Sequence, residues 1–136
     1  MPTVDRDLKG KAAVSGLGIT EMGRVYGHSA PWFAGEAIRL ALEDSGLKKE
    51  DIDGLLVNQG VSPLPGLGGL DLQNHLSLTD LRLLANMTVG GATAGIMVQY
   101  AALAIAHGMA NHVVCLFADA PLREGRGGGD VYGFGG

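Results

Sequence analysis

The sequence predicts an α/β protein with a largely parallel sheet, and three features of its 136 residues predict it. Short apolar runs alternate with longer segments of helical periodicity, in the order βαβαβαβ. Apolar residues make up 46% of the chain and charged residues 18%, which suffices for a hydrophobic core. The short runs lack polar alternation, as is typical of strands that are buried on both faces.

Four strands are predicted, near residues 11–15, 54–59, 81–88 and 112–118. The first is followed by Gly16-Leu17-Gly18, which we interpret as a turn. A Gly-rich and Pro-rich loop is expected over 60–69, after the second strand.

Helices are predicted between these strands. The first begins at Ser29 and Pro31, runs to about Ser45, and is ended by Gly46. Its apolar residues recur at helical spacing and are expected to face the sheet: Phe33, Ala37, Leu40 and Ala41. A shorter helix over 72–78 is expected, with Asp71 as its cap.

The helix predicted over 92–107 is apolar nearly all round. Apart from Gln99, its polar residues form one narrow stripe: Thr93, Tyr100 and His107. Such a helix must be covered on almost every side, so we expect a second layer of protein that this chain lacks. Glycines at 90–91 and 108 interrupt the uncharged stretch 83–118, which makes its pieces too short to span a membrane.

Composition excludes several function classes. A formal net charge of −4 gives no basic surface for nucleic acid. The single cysteine, Cys115, is typical of a reducing compartment, and the N-terminus has no apolar secretory region, so a cytoplasmic protein is expected. No membrane partner is expected.

The usual catalytic and ligand motifs are also absent. Gly16-Leu17-Gly18 lacks the third glycine of a dinucleotide-binding turn, because position 21 is Glu21. The four histidines have no metal-binding spacing, and the apolar neighbours of Cys115 indicate a buried, unreactive thiol. There is no GxSxG motif, which argues against an esterase.

One constellation remains, a strand followed by Gly90-Gly91 and then the apolar helix. The N-terminus of a helix can stabilise an oxyanion, although no nucleophilic side chain stands in this turn. Local sequence by itself favours the alternative, that the glycines only allow close packing.

Three segments resemble the thiolase superfamily, above all the sterol-carrier-protein type of thiolase and its lipid-transfer-protein relatives. They are KAAVSGLGITEMGR, AIRLALEDSGLKKEDIDGLLV and VGGATAGIMVQYAALAIAHGMANHVVCLFAD. The resemblance implies that the chain is a truncated first half of a thiolase fold, with residues 1–118 as the half-domain and 119–136 as a flexible, Gly-rich start of the next loop. It further implies the sheet order third, second, first, fourth, and a homodimer that pairs through the edge strand near 81–88.

The resemblance also implies a site. Gly91 occupies the position of the acyl-accepting cysteine, so no catalytic residue is assigned to this chain, and Gly90, Gly91 and Ala92 are expected to bind substrate. A Gly-Gly-Ala turn is similar to that of thiolase-like aldolases, which cleave β-hydroxyacyl-CoA thioesters in steroid side-chain degradation with an OB-fold partner protein. The thioester is then the substrate, and no cofactor or metal is expected.

Three functions therefore stay open at this point. The first is retro-aldol cleavage of a carbon–carbon bond by the complete enzyme. The second is acyl transfer, as in an acetyl-CoA acyltransferase, despite Gly91. The third is a non-catalytic scaffold subunit.

Overall fold

The computed structural model describes residues 8–60 and 69–125. Most of the loop predicted over 60–69 and the end of the Gly-rich segment 119–136 lie outside these ranges. The described elements are α1 (Ala30–Ser45), a single 3₁₀ turn (Lys49–Asp51), β1 (Gly54–Gln59), α2 (Gly69–Leu76), β2 (Leu83–Asn86), α3 (Thr93–Ala106) and β3 (Val113–Ala118).

The described strands form one parallel sheet in the order β2-β1-β3. β1 lies in the middle, with Gly54 opposite Leu83 of β2 and Val113 of β3. The α/β class and the parallel sheet are therefore confirmed, and the strand predicted near 81–88 is confirmed as an edge strand.

The first predicted strand is wrong. Residues 11–15 form no strand in the structure, and β1 pairs directly with β3, so the expected order with the first strand between them is wrong as well. The segment 16–18 packs on α1 instead of pairing in the sheet. A Cβ at Gly16 would lie 2.5 Å from the Ala41 carbonyl oxygen, and one at Gly18 would overlap the backbone of Ala37.

Gly16 and Gly18 are thus positions where the backbone of this segment closely approaches the backbone of α1. The interpretation of Gly16-Leu17-Gly18 as a turn that follows a strand is therefore wrong. The N–H of Leu17, between the two glycines, donates a hydrogen bond of 2.9 Å to the Asp44 carboxylate near the end of α1. These contacts fasten the segment to a helix.

α1 begins and ends as predicted. The Ser29 hydroxyl accepts a hydrogen bond from the N–H of Trp32, and Gly46 adopts a left-handed φ of 78° while its N–H donates to Leu42. The buried stripe is rotated relative to the expected one, because its fully buried members are Ala30, Ala34 and Ile38. Phe33 and Ala37 flank this stripe as half-buried residues, and Leu40 and Ala41 are half-buried too.

Successive residues of β1 point to opposite faces of the sheet and enter two separate cores. Leu55 and Val57 pack with the buried stripe of α1 and with Leu72 of α2. Leu56 packs with α3, through Met97. Because α1 and α3 cover opposite faces, the sheet is the middle layer of three.

The Asp53 side chain, just before β1, fixes the beginning of β3. Its carboxylate accepts hydrogen bonds from the N–H groups of Asn111 and His112, at 2.9 and 2.8 Å. Its carbonyl oxygen accepts a hydrogen bond of 2.7 Å from the N–H of Arg82 before β2. One residue therefore links all three strand starts.

Within residues 8–60 and 69–125, no helix is long and apolar enough to cross a membrane.

Candidate functional site

The three strands end at one edge of the sheet, because they are parallel. β2 leads there into the turn that precedes α3, β1 into Gly60, and β3 into Asp119. A Cβ at Gly60 would overlap the Asp119 side chain, so these two strand ends are in close contact. Ligands of open α/β sheets generally bind outside this carboxyl edge.

The turn with Gly90, Gly91 and Ala92 lies at this edge and is exposed. Gly90 has a φ of 59°, a left-handed conformation that a side chain would strain. Gly91 has no such restriction, and a Cβ there would meet no atom within 4 Å. The turn therefore does not need a glycine at Gly91 for packing, which argues against close packing as the reason for this residue.

Thr93 holds this turn in place, a role that the sequence analysis did not find. Its hydroxyl accepts a hydrogen bond of 2.8 Å from the N–H of Val89 and donates one of 2.7 Å to the Gly90 carbonyl. The residue is buried although it was predicted only as part of a polar stripe. A threonine at the first position of an apolar helix was the available signal, because hydroxyl side chains often bond to nearby backbone.

Two cavities lie elsewhere, and neither is lined by the predicted turn. The smaller, of about 340 Å³, lies at the carboxyl end of β3. Ala118, Asp119, residues 18–21 and Gly23 line it, together with His28, whose ring stacks on Trp32 at 3.5 Å between centroids. This cavity brings a carboxylate and an imidazole to the edge where the strands end.

The larger cavity, of about 410 Å³, lies along the outer edge of β3. Its walls are α1, α3, β3 and the segment 12–18. We call this cavity the edge slot. No Asp, Glu, Lys or Arg lines the edge slot. The absence of charged residues over 83–118 predicted the apolar walls that α3 and β3 contribute. The packing of the segment 12–18 on α1 could not be inferred from sequence.

Cys115 is half-buried in β3 and lines the edge slot. Burial raises the pKa of its thiol, because the thiolate would lose solvation, so the prediction of an unreactive thiol agrees with the structure. In the described ranges 8–60 and 69–125, no three His, Cys, Asp or Glu side chains come together as metal ligands.

Comparison with known proteins finds two curated relatives that share a third of their aligned residues with this chain. Over 108 residues the chain is 33% identical to a protein of Thermomonospora curvata named steroid side-chain-cleaving aldolase. The chain is similar to steroid-cleaving aldolases. It is also 33% identical over 114 residues to the 17-hydroxy-3-oxo-4-pregnene-20-carboxyl-CoA lyase of Mycobacterium tuberculosis.

A solved structure supports the same likeness. The Ltp2-ChsH2(DUF35) aldolase matches with a TM-score of 0.70 and 33% sequence identity, over 80% of this chain and 28% of that one. The chain spans about a quarter of the curated aldolase relatives, 27% of each. No protein-family model matches.

These relatives correct the resemblance drawn from the sequence. The assignment to the first half of a sterol-carrier-protein type of thiolase is wrong, since the proteins found are an aldolase, a lyase and a DUF35-containing aldolase complex. The quoted segments contained no short exact motif, and alternating apolar strands and helices are common to many parallel α/β proteins. The expected link to steroid side-chain cleavage agrees with the relatives' names.

Proposed function

We propose that this chain forms part of an aldolase that cleaves a carbon–carbon bond in the side chain of a steroid-like acyl-CoA. The observation that carries the proposal is the 33% identity to two proteins that are both named for cleavage of steroid substrates. The matching fold of an aldolase complex supports it.

The substrate class follows from the name of the lyase relative, a 17-hydroxy steroid with a carboxyl-CoA at position 20. This places a hydroxyl on the carbon β to the thioester carbonyl, as a retro-aldol reaction requires. A base removes the hydroxyl proton, a carbonyl forms at the β-carbon, and the bond between the α- and β-carbons breaks. Its electron pair becomes the enolate of a shorter thioester, which is then protonated.

The turn with Gly90, Gly91 and Ala92 is proposed to bind the thioester next to the bond that breaks. It precedes α3, so the positive end of the helix dipole lies where the enolate oxygen develops negative charge. The open space beside Gly91 accommodates a branched α-carbon, and Thr93 positions the turn. The residues that move protons are assigned to other parts of the enzyme.

A partner protein is part of this proposal. The solved relative is an aldolase named for two components, Ltp2 and ChsH2, and this chain spans about a quarter of its relatives. We therefore propose that the activity requires further protein, including a partner with the OB fold expected from sequence. The expected homodimer through β2 also stays a prediction, and the edge position of β2 is compatible with it.

The test is cleavage by the assembled enzyme that contains this chain. A β-hydroxyacyl-CoA with a steroid ring should give a ketone and a shorter acyl-CoA, both measured by mass spectrometry. Acyl transfer between thioesters without cleavage would instead assign an acyltransferase. If the assembly retains full cleavage activity without this chain, then this chain is a non-catalytic scaffold subunit.

A variant pair then tests the turn. Gly91→Val should lower kcat/KM about tenfold, or ~1.4 kcal/mol, because the side chain occupies space assigned to the substrate. Gly95→Val is the matched control, since a Cβ at Gly95 also meets no atom within 4 Å but lies inside α3. Equal activity of both variants would show that the turn does not bind the substrate. It would not contradict the proposed cleavage reaction.

A further inference from the structure

The end of β1 carries a polar side chain between apolar neighbours. Leu56 packs against α3, and Asn58, two residues later in the same strand, points to the same face of the sheet. On one side Asn58 has Phe117, its partner in β3. On the other side lies Met87, whose N–H donates a hydrogen bond of 2.8 Å to the Val57 carbonyl. Asn58 is therefore the polar residue of a row that is otherwise apolar.

Asn58 lies beside the turn that is proposed to bind the thioester. α3 begins at the carboxyl edge of the sheet and runs back across it, so Thr93 lies one helical turn, about 5.4 Å, nearer that edge than Met97. Asn58 lies about 6.6 Å nearer the same edge than Leu56, which packs with Met97. Asn58 and Thr93 are therefore at the same level along the sheet, and Thr93 holds the turn through Gly90.

The amide of Asn58 is half-buried and its hydrogen-bonding groups are not used by the fold. Within residues 8–60 and 69–125 this side chain makes no hydrogen bond. The Thr93 hydroxyl already bonds to Val89 and Gly90, so the turn does not require an amide at this place. Shielding an amide from water without a partner destabilises a fold, whereas an apolar side chain of similar shape would not. A ligand that bonds to the amide explains why a polar residue stands here.

The position of Asn58 selects the group of the substrate that it meets. In the proposed reaction the thioester lies at the turn, and its carbonyl oxygen gains negative charge as the carbon–carbon bond breaks. The NH₂ group of an asparagine donates hydrogen bonds to such an oxygen without carrying a charge of its own. Phe117, next to Asn58, is 56% exposed and offers an apolar surface to the ring system of the same substrate. The pair fits a polar carbonyl attached to an apolar body.

We propose that Asn58 is a substrate-binding residue whose side-chain N–H donates a hydrogen bond to the carbonyl oxygen of the acyl-CoA thioester. This inference rests on the proposed cleavage reaction and assigns it a side chain outside the turn. The hydrogen bond strengthens as the carbonyl oxygen becomes the enolate oxygen, so Asn58 acts mainly in the transition state. Asn58 keeps its protons throughout, and the bonds that form and break remain those of the retro-aldol reaction.

The first test measures cleavage of a steroid β-hydroxyacyl-CoA by the assembled enzyme. Asn58→Leu removes the donor, and Asn58→Asp keeps the shape of the side chain but replaces the donor with an acceptor. Both variants should lower kcat about 100-fold and change KM less than about threefold, because the bond matters most in the transition state. Asn86→Leu is the matched control. Asn86 ends β2 at the same edge, but it lies opposite Val57 and points to the other face, so its kcat should be unchanged.

A pair of unreactive ligands tests the contact without the reaction. An acyl-CoA that lacks the β-hydroxyl retains the thioester carbonyl, whereas the corresponding thioether has a methylene group in its place. The unaltered assembly should bind the thioester more tightly than the thioether. Asn58→Leu should reduce this preference about fivefold, as expected for the loss of one hydrogen bond, and Asn86→Leu should leave it unchanged. Isothermal titration calorimetry measures these affinities.

Two results would overturn the role of Asn58. If the unaltered assembly cleaves the substrate and Asn58→Leu retains its kcat, the role is wrong and the proposed function stands. If Asn58→Leu lowers the melting temperature and weakens both ligands equally, Asn58 is a structural residue. Absence of cleavage by the unaltered assembly would instead contradict the proposed function, and the ligand pair would still decide whether Asn58 contacts the thioester carbonyl.

Discussion

α1 and α3 pack on opposite faces of the same sheet, yet their outward sides differ. The exposed side of α1 carries an ion-pair network in which Arg39 bonds to Glu36 at 2.7 Å and to Glu43 at 3.1 Å. The exposed side of α3 carries apolar residues instead, among them Val98 at 51% exposure and Leu103. The first helix is compatible with solvent, and the second is suited to contact with protein.

The two helices also differ in how they are stabilised within this chain. α1 is stabilised by both caps, by the segment with Gly16 and Gly18, and by the larger of the two cores. α3 has no side-chain cap at its start, and its core is smaller. We therefore expect changes on the α1 face to cost more stability in the isolated chain than equivalent changes on the α3 face.

The largest expected effect compares the two faces directly. Leu55 and Leu56 are adjacent and fully buried, but they enter the α1 core and the α3 core respectively. Either change to alanine should lower the free energy of unfolding by about 2–5 kcal/mol, and Leu55→Ala should be the more damaging because Leu55 lies in the larger of the two cores. Urea titration of both variants measures this. A larger loss for Leu56→Ala would reverse the comparison.

The next prediction concerns glycines. Gly18→Ala should cost about 1–3 kcal/mol, since its Cβ would overlap the backbone of α1 and force the segment 12–18 away. Gly95→Ala in α3 has free space and should instead stabilise by up to about 1 kcal/mol. Thermal melts followed by circular dichroism distinguish the two, and a neutral Gly18→Ala would show that the segment does not pack on α1.

A smaller effect is expected at Asp53. Its carboxylate accepts the N–H groups of Asn111 and His112 after α3, so Asp53→Ala should destabilise by about 1 kcal/mol. Asp80→Ala, at an exposed residue, is the control and should be neutral. Amide exchange at Asn111 and His112 gives a local readout: it should quicken in the Asp53 variant and stay slow in the control.

The smallest effects are expected on the outward faces. The hydrogen bond and charge of Arg39 lower the pKa of Glu36, so the stabilisation from this pair is complete above the ordinary glutamate pKa and is lost as pH falls through the lowered value. Salt should weaken it, because both groups are exposed. An acid titration of stability with and without Arg39→Gln tests this, and identical curves would show that the pair contributes nothing.

Leu103→Gln provides the corresponding change on α3. Because Leu103 is exposed, stability in the monomer should be nearly unchanged, while self-association measured by sedimentation should decrease. Association that is unaffected by this change would show that the apolar side of α3 is not a contact surface.

Local sequence signals determined the helices and the identity of most strands. Ser29, Pro31 and Gly46 marked the limits of α1 because capping depends only on neighbouring backbone groups. The runs that became β1 and β3 were identified because strands buried on both faces are continuously apolar. Two glycines between a strand and a helix drew attention to the turn with Gly90, Gly91 and Ala92, but local sequence favoured close packing there, and its binding role stays a proposal. The hydrogen bonds of Thr93 in this turn were not foreseen.

Tertiary structure alone decided where the N-terminal segment lies and which residues meet at the edges of the sheet. Residues 11–15 have the composition of a strand, but pairing depends on which backbone edge is within reach, and the close approach of Gly16 and Gly18 to α1 keeps this segment from pairing with β3. The edge slot and the contact of Asp119 with Gly60 likewise arise between residues far apart in sequence. Short-range patterns specify elements, whereas the edge slot exists only because α1, α3 and the segment 12–18, which are distant in sequence, pack around β3.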